Sequence, residues 1–90
     1  MTHHSASQLE WIQRYEMTLN TMCMEQLASA NQGIASGLTS VIDGAYQLFD
    51  MFMKHRLDVI EGGSRLTHPQ RVTVDTMVKF RMGDVHPNGA

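Results

Sequence analysis

The sequence lacks the cysteines on which small exported proteins depend. Its one cysteine, Cys23, cannot form an internal disulfide. Exported chains of this size usually carry such cross-links, so we expect the chain to reside in the reducing cytoplasm. Charge is also scarce, because 18% of the 90 residues are charged and 42% are hydrophobic, with a net charge of −2. This balance is typical of a folded domain and excludes a disordered chain.

The sequence has no excess of basic residues and no long hydrophobic run. Lysine and arginine number 7 against 9 acidic residues, so the chain lacks the cations that bind a phosphate backbone, and we expect no nucleic-acid binding. The charge-free interval between Glu25 and Asp43 contains several polar residues, among them Gln26 and Asn31. Because a membrane-spanning helix needs about 20 predominantly apolar residues, we expect no transmembrane segment.

Motifs for catalysis and for metal binding are missing as well. Met22-Cys23-Met24 combines soft ligands, but neighbouring residues on a helix do not share a face. No two histidines are spaced as metal ligands on a helix, and we interpret His55 with Asp58 as a surface pair. Cys23 has no adjacent base, and no Gly-x-Ser-x-Gly motif occurs. We therefore expect a protein that is not an enzyme, with no catalytic, cofactor-binding or metal-binding residues and no cofactor.

What the sequence does contain is helical periodicity. Ser7 and Glu10 have the spacing of a capping box, so we predict a tail over residues 1–6 and a helix beginning at Ser7. Two apolar series then follow in phase at seven-residue intervals, as in a coiled coil. The two series are Met24, Leu38, Ala45, Phe52 and Val59, and Leu27, Ile34, Val41 and Leu48.

These series favour one continuous amphipathic helix over residues 7–61. On its opposite side, Asp50, Lys54 and Asp58 have the spacing of a solvated face. Asn31-Gln32-Gly33 is also typical of a helix C-terminus. The alternative is therefore a helical hairpin that forms a three-helix bundle with the C-terminal segment.

The C-terminal third begins with a break. Gly62-Gly63-Ser64 predicts a hinge over residues 62–66, and Thr67-His68-Pro69-Gln70 then has the form of a capping box with a first-turn proline. We predict a short helix over residues 67–82 and a tail over residues 83–90. Alternating β-branched residues from Val72 onward leave a strand open as the alternative. The predicted fold class is all-α, a long amphipathic helix or hairpin followed by a shorter helix, associating into a helical bundle.

Small residues predict where helices meet. Gly33-x-x-x-Gly37, with Gly44, would let another helix approach closely. Because 90 residues cannot shelter so long an apolar seam, we expect the partner to be a protein, in a homo-oligomer or a larger complex, or else a hydrophobic surface. The predicted partner-interface residues are Leu27, Gly33, Ile34, Gly37, Leu38, Val41, Gly44, Ala45, Leu48, Phe49 and Phe52.

The layout over residues 12–82 resembles that of a known family. An amphipathic helix with a charge-poor middle is followed by Arg65-Leu66-Thr67-His68-Pro69-Gln70 and a second helix. This arrangement is similar to that of bacterial phasins, the helical coats of polyester granules. The resemblance implies an alternative function as an amphipathic coat on a hydrophobic granule or lipid surface, beside the function of a small adaptor, chaperone or subunit.

Overall fold

The computed structural model describes residues 6–83 and contains three helices within them. Helix α1 is Ala6–Ser36, α2 is Thr39–Glu61 and α3 is His68–Met82. The all-α prediction is confirmed, and α3 shows that the strand alternative for residues 71–82 is wrong. The predicted tails at 1–6 and 83–90 lie outside the described residues, apart from Ala6 in α1 and Gly83 at the end of α3.

The preferred prediction of one continuous helix is wrong, and the hairpin alternative is right. The turn lies at Gly37 and Leu38, four residues beyond the Asn31-Gln32-Gly33 signal. Gly37 has a φ of 70°, which side-chain-bearing residues rarely adopt. The Leu38 amide donates to the Gly33 carbonyl at 2.9 Å and so closes the last turn of α1. Thr39 then begins a helix in the opposite direction.

Gly33 lies inside α1, at a point where the two helices of the hairpin approach closely. The absence of a side chain at Gly33 makes this approach possible. A Cβ atom at Gly33 would lie 2.8 Å from Ile42 Cγ1 of α2, closer than real contacts allow. The two glycines of Gly33-x-x-x-Gly37, predicted to meet a partner helix, have different places within the chain. Gly33 serves contact within the chain, and Gly37 forms the turn.

Replacing glycine by alanine should have opposite effects on stability at two positions of the hairpin, Gly37 and Gly44. Gly37→Ala should lower the free energy of unfolding by about 1–2 kcal/mol, because alanine is strained at positive φ. Gly44→Ala should raise it by about 0.5–1 kcal/mol, because Gly44 lies inside α2 with open space around it. Urea denaturation of both variants checks this pair, and destabilisation by Gly44→Ala would contradict the assigned helix.

The core lies at the base of the hairpin, where α3 crosses it. Its buried side chains come from all three helices and the loop before α3. They are Tyr15, Leu19, Met22, Cys23, Phe52, Leu66, Val74 and Val78. Burial raises the pKa of the Cys23 thiol. The predicted seam does not form one stripe, because the turn reverses the chain: Phe52 is buried, whereas Met24 and Val59 are exposed.

Asp58 fastens the loop between α2 and α3 and does not belong to the predicted solvated face. Its carboxylate accepts hydrogen bonds from the backbone amide and the guanidinium of Arg65, at 3.1 and 3.2 Å. Desolvation acts to raise the pKa of Asp58, but these hydrogen bonds outweigh it and lower that pKa. Asp50 and Lys54 do form the expected pair, at 2.8 Å.

The predicted cap of the last helix is confirmed and that of the first is not. Thr67 and Gln70 form a reciprocal capping box, with Pro69 in the first turn of α3. Ser7 lies inside α1, which begins at Ala6, so it does not stand at the cap position. The short interval between Glu61 and His68 then directs α3 back across the hairpin.

Candidate functional site

A buried polar junction joins the three helices at the base. Tyr15 of α1 lies with its hydroxyl 2.5 Å from His55 Nε2 of α2 and 2.9 Å from Asp75 Oδ1 of α3. Trp11 packs beside the Tyr15 ring, with ring centroids 5.3 Å apart, and Lys79 pairs with Asp75 at 3.1 Å. Each helix contributes one polar group, so the junction fixes their relative positions.

The chemistry of the three groups determines which of them donates each hydrogen bond in this junction. An ionised Asp75 can only accept, so the Tyr15 hydroxyl donates to it and His55 Nε2–H donates to the Tyr15 oxygen. Burial, followed by the hydrogen bond and charge of Asp75, raises the pKa of Tyr15. Burial lowers the pKa of His55, against the opposing effect of the Asp75 and Asp58 carboxylates. The imidazole is therefore neutral at pH 7, and its Nδ1 atom is buried without a hydrogen-bond partner.

The junction corrects the interpretation of His55 as a surface residue paired with Asp58. His55 is 4% exposed, and its hydrogen bond is to Tyr15. A cavity of about 200 Å³ beside it is lined by Trp11, Val59 and the junction residues. No sequence signal identifies this cluster, because Tyr15 lies 40 residues from His55 and 60 from Asp75. The Tyr15 hydroxyl, His55 Nε2 and Asp75 Oδ1 satisfy one another, so the arrangement favours a structural role, although His55 Nδ1 has no partner.

The second candidate is the part of the hairpin on either side of its turn, residues 24–50, which we call the arm. Its buried residues are Ala30, Gly33 and Ala45, all of them small. Small side chains let the helix axes approach closely, but they enclose little apolar volume. The arm therefore holds its helices together but leaves several of its larger apolar side chains exposed, among them Met24, Ile34 and Leu38.

Three of these larger side chains surround the turn and form what we call the tip cluster: Ile34, Leu38 and Val41. All three are exposed, Ile34 to 57%. Ile34 lies in the last turn of α1, Leu38 precedes α2 and Val41 lies in its first turn. Exposed apolar side chains grouped in this way, unlike scattered ones, are typical of a contact surface.

The structure divides the predicted partner-interface residues into three groups. Gly33, Ala45 and Phe52 are buried within the chain. Leu27, Leu48 and Phe49 are partly buried. The remainder are exposed around the turn or along the arm, and they are Ile34, Gly37, Leu38, Val41 and Gly44.

A surface that the sequence did not indicate lies where α3 meets α1. An apolar groove of about 490 Å³, which we call the Phe80 groove, is lined by Met22, Thr76, Met77, Phe80 and Arg81. Phe80 is 66% exposed, and Arg81 pairs with Glu25 at 2.6 Å. The exposure of Phe80 depends on how α3 crosses the hairpin, which periodicity does not specify.

Within residues 6–83, no three histidine, cysteine or acidic side chains are grouped as a metal site requires. None of the three helices is apolar over enough of its length to cross a membrane. Comparison with protein-family models, with curated proteins and with solved structures finds no match to this chain.

Proposed function

We propose that the chain is a non-enzymatic helical interaction protein whose arm docks onto another protein chain. The observation that supports this function is the tip cluster, where Ile34, Leu38 and Val41 are exposed on an arm packed through small residues. The buried junction at the base supports the same proposal, because it gives the arm a fixed support without presenting a reactive group at the surface.

Energetics indicate how large the contact must be. Fully burying a valine, leucine or isoleucine side chain contributes about 1.5–3 kcal/mol, so three side chains that are already about half buried contribute roughly 2–5 kcal/mol together. Association costs about 4–15 kcal/mol in lost freedom of motion. The tip cluster alone is therefore too small, and we infer that a partner also contacts the length of the arm.

The arm contains a substitution with a closely matched control. Ile34→Asp should release the chain from its native complex, because a carboxylate at a buried contact would lose its hydration. Ile60→Asp changes an isoleucine of similar exposure, 51% against 57%, near the end of α2 that lies outside the arm. Native mass spectrometry of the gently isolated protein, tagged in its source cell, measures the mass of each assembly.

We expect the wild-type chain and Ile60→Asp in an assembly heavier than the 10.1 kDa chain, and Ile34→Asp at the mass of the chain alone. Circular dichroism of the isolated variants controls for folding. A wild-type chain that is found alone under these conditions would refute the proposed function.

The exposed tip cluster also supports a second candidate, a phasin-like coat. The arm has no basic residue, so such a coat would bind an uncharged hydrophobic phase rather than an anionic membrane. Co-sedimentation with an oil emulsion distinguishes the two candidates. A coat protein would bind the droplets through the tip cluster, whereas an adaptor would remain in its protein complex.

A further inference from the structure

The buried junction between the three helices has no place for a second proton on His55. The neutral imidazole donates from Nε2 to the Tyr15 oxygen, so its Nδ1 atom carries no hydrogen. Protonation would add an N–H group at Nδ1, which is buried and has no hydrogen-bond partner. It would also place a positive charge on a buried residue. Both changes are unfavourable while the junction stays closed.

The carboxylates that act on the imidazole are already bound to other groups. Asp75 accepts a hydrogen bond from the Tyr15 hydroxyl through Oδ1, at 2.9 Å, and pairs with Lys79 through Oδ2, at 3.1 Å. Asp58 accepts hydrogen bonds from the backbone amide and the guanidinium of Arg65. The closed junction therefore offers a protonated Nδ1 no acceptor, and only water that enters the junction can supply one.

The groups that face the imidazole come from all three helices. Helix α1 contributes the Tyr15 hydroxyl, α2 the Asp58 carboxylate, and α3 the Asp75 carboxylate and the Arg71 guanidinium. Burial lowers the pKa of His55 most, and although both carboxylates oppose this effect, the pKa stays below 6.5 in the folded chain. A state that exposes the imidazole to water therefore gains stability over the closed fold as the pH falls below about 6.5.

Helix α3 is held to the hairpin by few buried side chains. Its buried residues are Val74 and Val78. The ion pair of Arg81 with Glu25 also joins α3 to α1, but both side chains are about half exposed, and such pairs contribute little to stability. In the loop before α3, Gly62-Gly63 has positive φ at both residues, and glycine lets the backbone adopt many other conformations. Movement of α3 is therefore the simplest way to expose the imidazole.

The contacts around the turn of the hairpin do not involve α3. The Leu38 amide donates to the Gly33 carbonyl, and Gly33 lies against Ile42 of α2. Ala30 and Ala45 are buried in the same part of the molecule. These contacts join α1 to α2 directly, so they remain when α3 leaves.

We propose that protonation of His55 releases α3 from the hairpin while the arm stays folded. This inference goes beyond the proposed function and does not depend on it. Release exposes Val74 and Val78 together with the faces of Leu19 and Phe52 in the core, so an apolar surface that is hidden at neutral pH becomes available in acid. The released segment also loses its helical structure, because isolated helices of about 15 residues are marginally stable in water.

Hydrogen exchange of the purified wild-type chain tests this release. Mass spectrometry of peptic fragments at pH 7 and pH 5.5, corrected for the intrinsic exchange rate at each pH, gives the protection of each segment. The protection of α3 should fall by up to about tenfold, the most that one proton allows over one pH unit below 6.5. The protection of residues 30–45 should change by less than about twofold.

Two outcomes of this measurement would overturn the release of α3. Unchanged protection of α3 would show that acid does not open the junction. An equal loss of protection in α3 and in residues 30–45 would show that acid unfolds the whole chain. Both outcomes are read from the wild-type chain, so the test does not depend on whether a variant folds.

His55→Gln tests whether His55 is the group that responds to acid. The glutamine amide can donate to the Tyr15 oxygen but does not titrate, so the protection of α3 should stay within about twofold between the two pH values. His68→Gln is the matched control, because His68 is an exposed histidine in the first turn of α3, and this variant should keep the wild-type response. A full response in a folded His55→Gln chain would assign the release to another group and refute the proposal.

Discussion

Replacing Phe52 by alanine should lower the free energy of unfolding by about 3–5 kcal/mol, the usual cost of a large cavity in a core. Phe52 is 1% exposed and lies in the core cluster with Leu19, Val74 and Val78. A chain of 90 residues has a total stability of about 5–13 kcal/mol. The substitution should therefore remove a large share of it and leave a measurable unfolded population.

Phe80→Ala is the matched control for this prediction. It removes the same side chain from a position that is 66% exposed, and it should change the stability by no more than about 0.5 kcal/mol. Urea denaturation followed by circular dichroism, at concentrations too low for association, measures both values. A loss below about 1 kcal/mol for Phe52→Ala would mean that the assigned core is wrong.

Lowering the pH from 7 to 5.5 should destabilise the fold through His55. Burial lowers the pKa of His55 in the folded chain below its ordinary value of 6.5, so the unfolded chain binds a proton more readily. Stability is therefore complete above about pH 6.5 and is lost as the pH falls toward the folded-state pKa, by at most about 1.4 kcal/mol per pH unit. Among the neighbouring charges, the Asp75 and Asp58 carboxylates act to raise the pKa of His55 and Arg71 acts to lower it, but the effect of burial is larger than any of them.

The control for the effect of pH is His55→Gln. Glutamine retains a side-chain N–H that can donate to the Tyr15 oxygen, but it does not titrate. Denaturation curves across this pH range should show a steeper loss of stability for the wild-type chain than for the variant. Parallel losses would assign the pH dependence to other groups.

The local signals of the sequence were sufficient for the helical fold class and for the start of α3, but not for the turn between α1 and α2 or for the arrangement of the helices. Thr67, Pro69 and Gln70 specify the start of α3 through contacts within four residues, so they could be identified directly. The position of the turn could not, because both Gly33 and Gly37 are compatible with a helix end. What decides between them is contact with Ile42, and this contact exists only once the hairpin has formed.

Local signals also could not predict which residues of the apolar seam are buried, or that Tyr15, His55 and Asp75 meet. A seven-residue spacing continues through the turn in the sequence, but α2 runs back along α1, so Phe52 faces the core while Leu38 lies exposed at the tip. The junction of Tyr15, His55 and Asp75 depends on the way α3 crosses the hairpin. No periodicity encodes this crossing, and the Phe80 groove depends on it as well.

The position of Cys23 has a consequence for any assembly that this protein forms. Its thiol is the sole one in the sequence and lies 4% exposed beneath α3. Oxidation therefore cannot link two folded copies covalently, and reversible association is left to the outer surfaces of the helices. The same shielding makes the rate of thiol alkylation a direct measure of how often the base of the hairpin opens.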